Sequence, residues 1–391
     1  MLKRVLVLTA ILAAVALAPP TAGADGVCPP SPKAVWTTGL EHGMGALGTP
    51  NLWISNMGGQ LDGTIAKTGK WSLRERRPDY GWVAYTEQHL SSYRNAMTFA
   101  IRLDTLPSGD VTKFASVKTT GSHLLLGFRD SDDRLTLRWG AHEAKASSFP
   151  VLEKTWYTID LRWETGANPM TADWSIDLVP QESTSVNELA YNMRFQFGSD
   201  LSGDTPFTAH FDDIVHSYTP SDYPIGPTRV VPLRPSSTGA FTGPERFRDD
   251  DGSAVDPTSW SRLDDARMDD LRDGHVKQVS VSTASNLEFG FDDTLEPCVD
   301  AVQAISTFHK TVSKTNHAKT SVFEGPVESV IYNGDVPNTN VIGAKTRIVP
   351  PALGAWTPVA VNALTVRLGY SSDVSPEPMW DGLLFEMAVP G

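Results

Sequence analysis

The chain has 391 residues, a formal charge of −13, and 40% hydrophobic against 20% charged residues. That length suits two domains, and the apolar content is ample for packed cores, which excludes general disorder. The acidic balance disfavours nucleic acid and anionic membrane surfaces as partners.

At the amino terminus, Lys3 and Arg4 precede an apolar run from Val5 to Ala18, then Pro19, Pro20 and the small residues Ala22, Gly23 and Ala24. This is the order and length of an export signal. The run falls short of the roughly 20 apolar residues that a spanning helix needs, and no later stretch approaches that number, so no membrane span is expected. Residues 1–24 are expected to be removed, leaving a secreted chain whose charge, without Lys3 and Arg4, is −15. The two cysteines, Cys28 and Cys298, then leave the reducing cytosol. A disulfide tying the new amino terminus to the second half is expected; two unpaired thiols are the alternative.

From Ala96 to Ser217 the dominant signal is period 2. Phe99, Ile101 and Leu103 alternate with polar or small residues. So do Leu135, Leu137 and Trp139, then Tyr157, Ile159, Leu161 and Trp163, then Trp174, Ile176 and Leu178. Each pattern predicts a half-buried strand. Turn-forming clusters separate them: Pro107–Asp110, Asp130–Asp133 and Gly166–Pro169. Two antiparallel sheets packed face to face are expected over about 30–220. A turn-rich stretch from Tyr218 to Gly226 reads as a linker. Beyond it, in 224–391, Arg229–Leu233, Val276–Thr283, Ala301–His309, Ala360–Leu368 and Trp380–Val389 read as strands of a second, mostly β domain. Arg248–Gly274, with nine aspartates, reads as exposed loop with one short helix.

Gly69–Arg74, the central strand series and His210–Val215 resemble the concanavalin A-like lectin and glucanase superfamily in its laminin-G-like branch. That resemblance implies a two-sheet jelly roll that binds glycans or cell-surface proteins, with one structural calcium. Glu41, Asp212 and Asp213 stand where such domains hold the ion between the two chain ends. The other reading of Asp212 and Asp213 is a pair of solvent-facing carboxylates at a strand edge. Tyr223–Val230, Trp260 and Val299–Ile305 resemble the carboxy-terminal part of bacteriophage virion or tail structural proteins. The export signal departs from that pattern.

Catalytic motifs are mostly missing. The glucanases of the superfamily place three carboxylates on one strand face as Glu-x-Asp-x-x-Glu, because retaining hydrolysis needs two carboxyl groups about 5 Å apart. No such run occurs here. Asp173 and Asp177 lack the terminal glutamate, and Asp177 reads as the solvent face of a strand. Gly43–Gly48 fits a dinucleotide fingerprint by letter, but no helix can follow it. No His-x-x-x-His pair or Gly-x-Ser-x-Gly elbow is present.

Alternation sends Trp139, Trp163 and Trp174 to the core. It leaves Trp156, Arg138, Arg162 and the turn-flanked Trp82 as candidate ligand contacts, since aromatic faces stack on sugar rings. The expectation is a secreted, non-enzymatic module that recognises a glycan or surface partner. A structural assembly protein, self-associating as a homo-oligomer, and a divergent glycoside hydrolase are the alternatives.

Overall fold

The alternation that opens at Trp156 continues to Glu164, and in the computed structural model this segment is a central strand. The structure describes residues 28, 34–38, 40, 53–56, 60–76, 82–85, 92–199, 205–242, 247–249, 252–256, 258–263, 276–278, 286–309, 317–335, 343–352, 355–369 and 379–391. Trp156–Glu164 pairs on one side with Arg94–Thr105 and on the other with Met170–Ile176, both antiparallel and without a bulge. The sheet continues through Thr208–Ser217, Ser72–Arg76 and Gln60–Asp62. Ala34–Thr38 also pairs with Thr208–Ser217, and Val179–Pro180 and Thr184–Val186 pair with Met170–Ile176.

A second sheet, of seven strands, runs in the order Lys145–Ala146, Arg134–Trp139, Leu124–Arg129, Val111–Thr119, Asn192–Gly198, Trp82–Tyr85, Trp53–Asn56. The two sheets meet over one core, which includes Phe99, Ile159, Leu161 and Trp174 from the first and Phe114, Leu126, Leu137 and Phe195 from the second. Edge-to-face pairs within it, Phe99 with Phe197 at 5.3 Å and Phe114 with Phe207 at 4.8 Å, add directional attraction to the burial of apolar surface. The inward assignment of Trp139, Trp163 and Trp174 holds: all three are fully buried.

The later part of the chain forms a second sandwich. Its six-stranded sheet contains Thr228–Leu233, Phe247–Asp249, Val276–Gln278, Ala301–His309, Gly343–Val349 and Met379–Pro390. Its five-stranded sheet contains Pro235–Thr242, Asn286–Phe291, His317–Glu324, Val327–Asp335 and Leu364–Gly369. Val302, Phe308, Trp380 and Phe385 from the first of these pack on Leu287, Phe289, Val322 and Leu368 from the other. The protein is therefore all-β, built of antiparallel sheets packed face to face.

Two local readings are corrected. Ala360–Leu368 is not one strand: Pro358–Asn362 forms a helical turn with Thr357 as its cap, and only Leu364–Gly369 extends. Proline fixes the first-turn dihedral and the Thr357 hydroxyl oxygen accepts the Ala360 N–H, which together favour a helix start over strand alternation. Leu178 is not an inward strand residue. The strand stops at Ile176, and Asp177 and Leu178 turn with positive φ, leaving Leu178 exposed. Asp177 is exposed as its reading required, but it stands in this turn and not in the strand, and its carboxylate accepts the Thr158 N–H at 2.7 Å.

The sandwiches are joined by more than the linker. Ala34–Thr38 hydrogen-bonds with the last strand of the first sandwich, and its other side meets the second. Gln303 brackets Thr37, accepting its N–H at 3.2 Å and donating to its carbonyl at 2.6 Å. The Thr38 hydroxyl donates to Glu386 at 3.2 Å. The Cys28–Cys298 disulfide forms as expected and fixes the amino-terminal side of this strand to the second sandwich. Val215, Val230, Ala301 and Ala388 close a small apolar cluster at the same junction.

Candidate functional site

The polar residues of Trp156–Glu164 do not share one environment, although the alternation treats them alike. Thr158 and Asp160, on the face away from the first core, are both buried, Thr158 beside Lys67 and Asp160 under the segment that leads into the second sandwich. The Gly226 N–H donates to Asp160 at 2.8 Å and the Ser175 hydroxyl donates to its other oxygen at 3.3 Å. Burial pushes the Asp160 carboxyl up to about 6, against these bonds.

Farther along, Arg162 and Glu164 emerge from this cover. With Arg94, Trp163, Thr171, Asp173 and Pro220 they line a groove of about 310 Å³. Arg162 donates from Nε at 2.9 Å and from Nη2 at 2.6 Å to one oxygen of Asp173. The Ser183 hydroxyl donates to the other oxygen at 2.5 Å. Arg94 pairs with Glu164 at 2.7 Å. These pairs face each other because the strands run in register: Arg162 opposite Asp173, and Glu164 opposite Arg94. The linker contributes a wall through the Pro220–Asp222 turn and Tyr223, whose ring lies 5.1 Å beneath the Arg162 guanidinium. Burial raises the Tyr223 hydroxyl to about 12. Trp163, between Arg162 and Glu164 on the strand, sends its ring to the opposite, core face, where it stacks on His216 at 6.0 Å and donates to Asn192 at 3.2 Å, which anchors this stretch of the strand. Burial holds His216 down to about 3, in its neutral form.

An aromatic pair stands beside this groove. Tyr93 precedes Arg94, and Tyr191 precedes Asn192, the acceptor for Trp163. Their rings are 5.5 Å apart, tilted at 46°, and 46% and 47% exposed. Neighbouring bonds set their positions. The Thr165 N–H donates to the Tyr93 carbonyl, and Thr120 and Tyr191 exchange two hydrogen bonds of 3.0 Å. Gly166, at φ +73°, lies directly against the Tyr93 ring, where a Cβ would come within 2.6 Å. Leu189 and Met193, on the Tyr191 segment, are also exposed.

Of the residues expected to contact a ligand, the structure brings Arg162 to this groove. Trp156 lies six positions away on the same strand, about 20 Å at 3.3 Å per residue, opposite Arg102. Arg138 belongs to the other sheet, opposite Leu125. The Trp82 backbone pairs with Gly198 in that sheet, and its side chain lies outside the described residues. Tyr93 and Tyr191 were not among the expected contacts. Each stands at the end of a strand, where alternation is silent; their one sequence signal is tyrosine among turn-forming neighbours.

Asp212 and Asp213 are not solvent-facing carboxylates at a strand edge; both are buried at a bulge under the second sandwich. Lys67 and Thr68 donate backbone N–H groups to Asp212 at 2.7 and 3.2 Å. The Thr68 hydroxyl and the Val230 N–H donate to Asp213 at 2.6 and 2.8 Å, and the Lys67 ammonium lies 3.4 Å from it. Burial raises both carboxyls, with Lys67 opposing the rise at Asp213. Glu41, the third expected calcium ligand, and the Gly43–Gly48 run lie outside the described residues. Among the described residues no group of three or more His, Cys, Asp or Glu could hold a metal ion, and no helix is long and apolar enough to cross a membrane.

The class this architecture defines is an all-β protein of antiparallel sandwiches. No protein-family model and no curated protein matches the chain. Among solved structures it is similar to the cellulose induced protein Cip1, with TM-score 0.37 and 15% identity over 47% of this chain and 97% of that one. It is also similar to domain 4 of AbnA, a GH43 extracellular arabinanase from Geobacillus stearothermophilus, with TM-score 0.37 and 15% identity over 49% and 96%. For Trypanosoma rangeli sialidase the TM-score is 0.33 at 15% identity, over 43% of this chain and 30% of that chain's length. These similarities give no residue of this chain a role. None of the three is a virion protein, so the resemblance of the second half to virion proteins finds no support in them.

Proposed function

We propose that the protein is a secreted, non-enzymatic glycan-binding module. One observation carries this reading: two exposed tyrosines stand at the side of a groove lined by hydrogen-bonding side chains. Sugar rings present C–H faces that stack on aromatic rings and hydroxyls that both donate and accept, and the site offers partners for each. The export signal and the Cys28–Cys298 bridge support an extracellular setting. Two features support binding without turnover. The sequence lacks the three-carboxylate strand of the superfamily's glucanases, and both groove carboxylates are held by arginines. The Asp212–Asp213 pair, with Lys67 beside it, serves to join the sandwiches.

The test is retention of the mature protein on a series of insoluble and soluble polysaccharides, scored for binding and for released reducing sugar. Binding without release is the expected result. Release that disappears in a Glu164→Gln or Asp173→Asn variant would replace this reading with a hydrolase.

A further inference from the structure

We infer that the ligand of this groove is a neutral polysaccharide and that the site is built to reject acidic ones. The inference rests on the glycan-binding reading and deepens it. Its ground is the charge arrangement of the groove, which is lined by Arg94 and Arg162 and by Glu164 and Asp173, so that each guanidinium is already matched by a carboxylate.

A uronic or sialic acid could take a guanidinium charge for itself only by displacing Asp173 or Glu164 from its arginine. It would also sit beside a carboxylate left without its cation, in a chain that is acidic overall. Displacing Asp173 is the harder of the two, since Arg162 reaches it with two N–H groups, Ser183 holds its second oxygen, and the Tyr223 ring backs the guanidinium. Charge-assisted pairs of this geometry are among the stronger hydrogen bonds, and unpaired like charges brought together select against the wrong ligand. A neutral sugar displaces nothing. Each arginine keeps N–H groups that no acceptor among the described residues takes up, and Glu164 keeps one oxygen in the same condition. Hydroxyls can accept from the first and donate to the second. The tyrosine pair adds a stacking surface that carries no charge.

Affinity electrophoresis of the full mature chain tests this, with gels containing neutral glucan, arabinan or xylan in one set and polygalacturonate or a sialylated glycan in the other, at constant salt. Retention by at least one neutral polysaccharide is expected, with at least tenfold weaker retention by every acidic one. Tyr93→Ala with Tyr191→Ala should weaken neutral retention at least tenfold. Glu164→Gln with Asp173→Asn should raise retention on polygalacturonate, because the arginines then lack their internal partners. Stronger binding of the wild-type chain to an acidic glycan, lost in the tyrosine variant, would overturn the inference and leave the glycan-binding reading standing. Neutral retention unaffected by the tyrosine variant would overturn the assignment to this groove. Retention on none of the polysaccharides would overturn both.

Discussion

Asp160→Asn should stabilise the protein at pH 8 and leave it unchanged near pH 4. The carboxyl of Asp160 is fully buried where the linker crosses the first sandwich, and desolvation raises it from 3.8 to about 6. The folded protein therefore holds this proton more tightly than the unfolded chain does. The contribution to stability is fully present below about pH 4 and is lost as pH rises through about 6. The span from 3.8 to about 6 amounts to about 3 kcal/mol at roughly 1.4 kcal/mol per pH unit. Asparagine keeps a carbonyl oxygen for the Gly226 N–H and supplies an NH₂ to which the Ser175 hydroxyl oxygen can turn. It also removes the charge whose burial is penalised. The variant should gain up to about 3 kcal/mol at pH 8, by urea denaturation of both proteins at each pH. A variant destabilised at pH 8, or shifted equally at both values, would refute the burial argument and show that the ionised carboxylate is the favoured form.

Removing the Cys28–Cys298 bridge, by reduction or by Cys28→Ser with Cys298→Ser, should lower stability by about 2–5 kcal/mol. The bridge spans 270 residues, and calorimetry in the presence and absence of reductant reads the loss; an unchanged melting curve would show that Ala34–Thr38 is held without it. Lys67→Met removes the cation beside Asp213 and should cost about 2 kcal/mol at pH 8. Since both aspartates are raised, that loss should shrink as pH falls and the pair takes up protons, and a loss independent of pH would count against their charge. Gly166→Ala should cost about 1–2 kcal/mol for a side chain at φ +73°. It should also weaken glycan retention by displacing the Tyr93 ring, while an affinity equal to wild type would remove Tyr93 from the site.

Much of the architecture was legible because alternation reports directly on a core. Ala301–His309 has the bounds that its pattern predicted, and Trp139, Trp163 and Trp174 face inward as their spacing required. Alternation cannot tell which polar face meets water. Thr158 and Asp160 read like Arg162, yet the first two are buried and of the three only Arg162 reaches the groove. Nothing local to Asp160 distinguishes it; its cover comes from Gly226, 66 positions later. Asp212 and Asp213 read as solvent-facing carboxylates for the same reason, since residues that bury them, Lys67, Thr68 and Val230, are distant in the chain. Tyr93 and Tyr191 come together only because two strand ends converge, about 100 residues apart in sequence and 5.5 Å apart in space.

Hydrogen–deuterium exchange of the mature chain, with and without the neutral polysaccharide it retains best, locates the binding surface without any substitution. The account predicts protection confined to segments around residues 92–94, 162–173 and 188–193, with the turn at 220–223 also slowed. Protection that falls instead on the outer face of the seven-stranded sheet around Arg138, or on the second sandwich, would contradict the assignment of the site to the Arg162 groove and the Tyr93–Tyr191 pair.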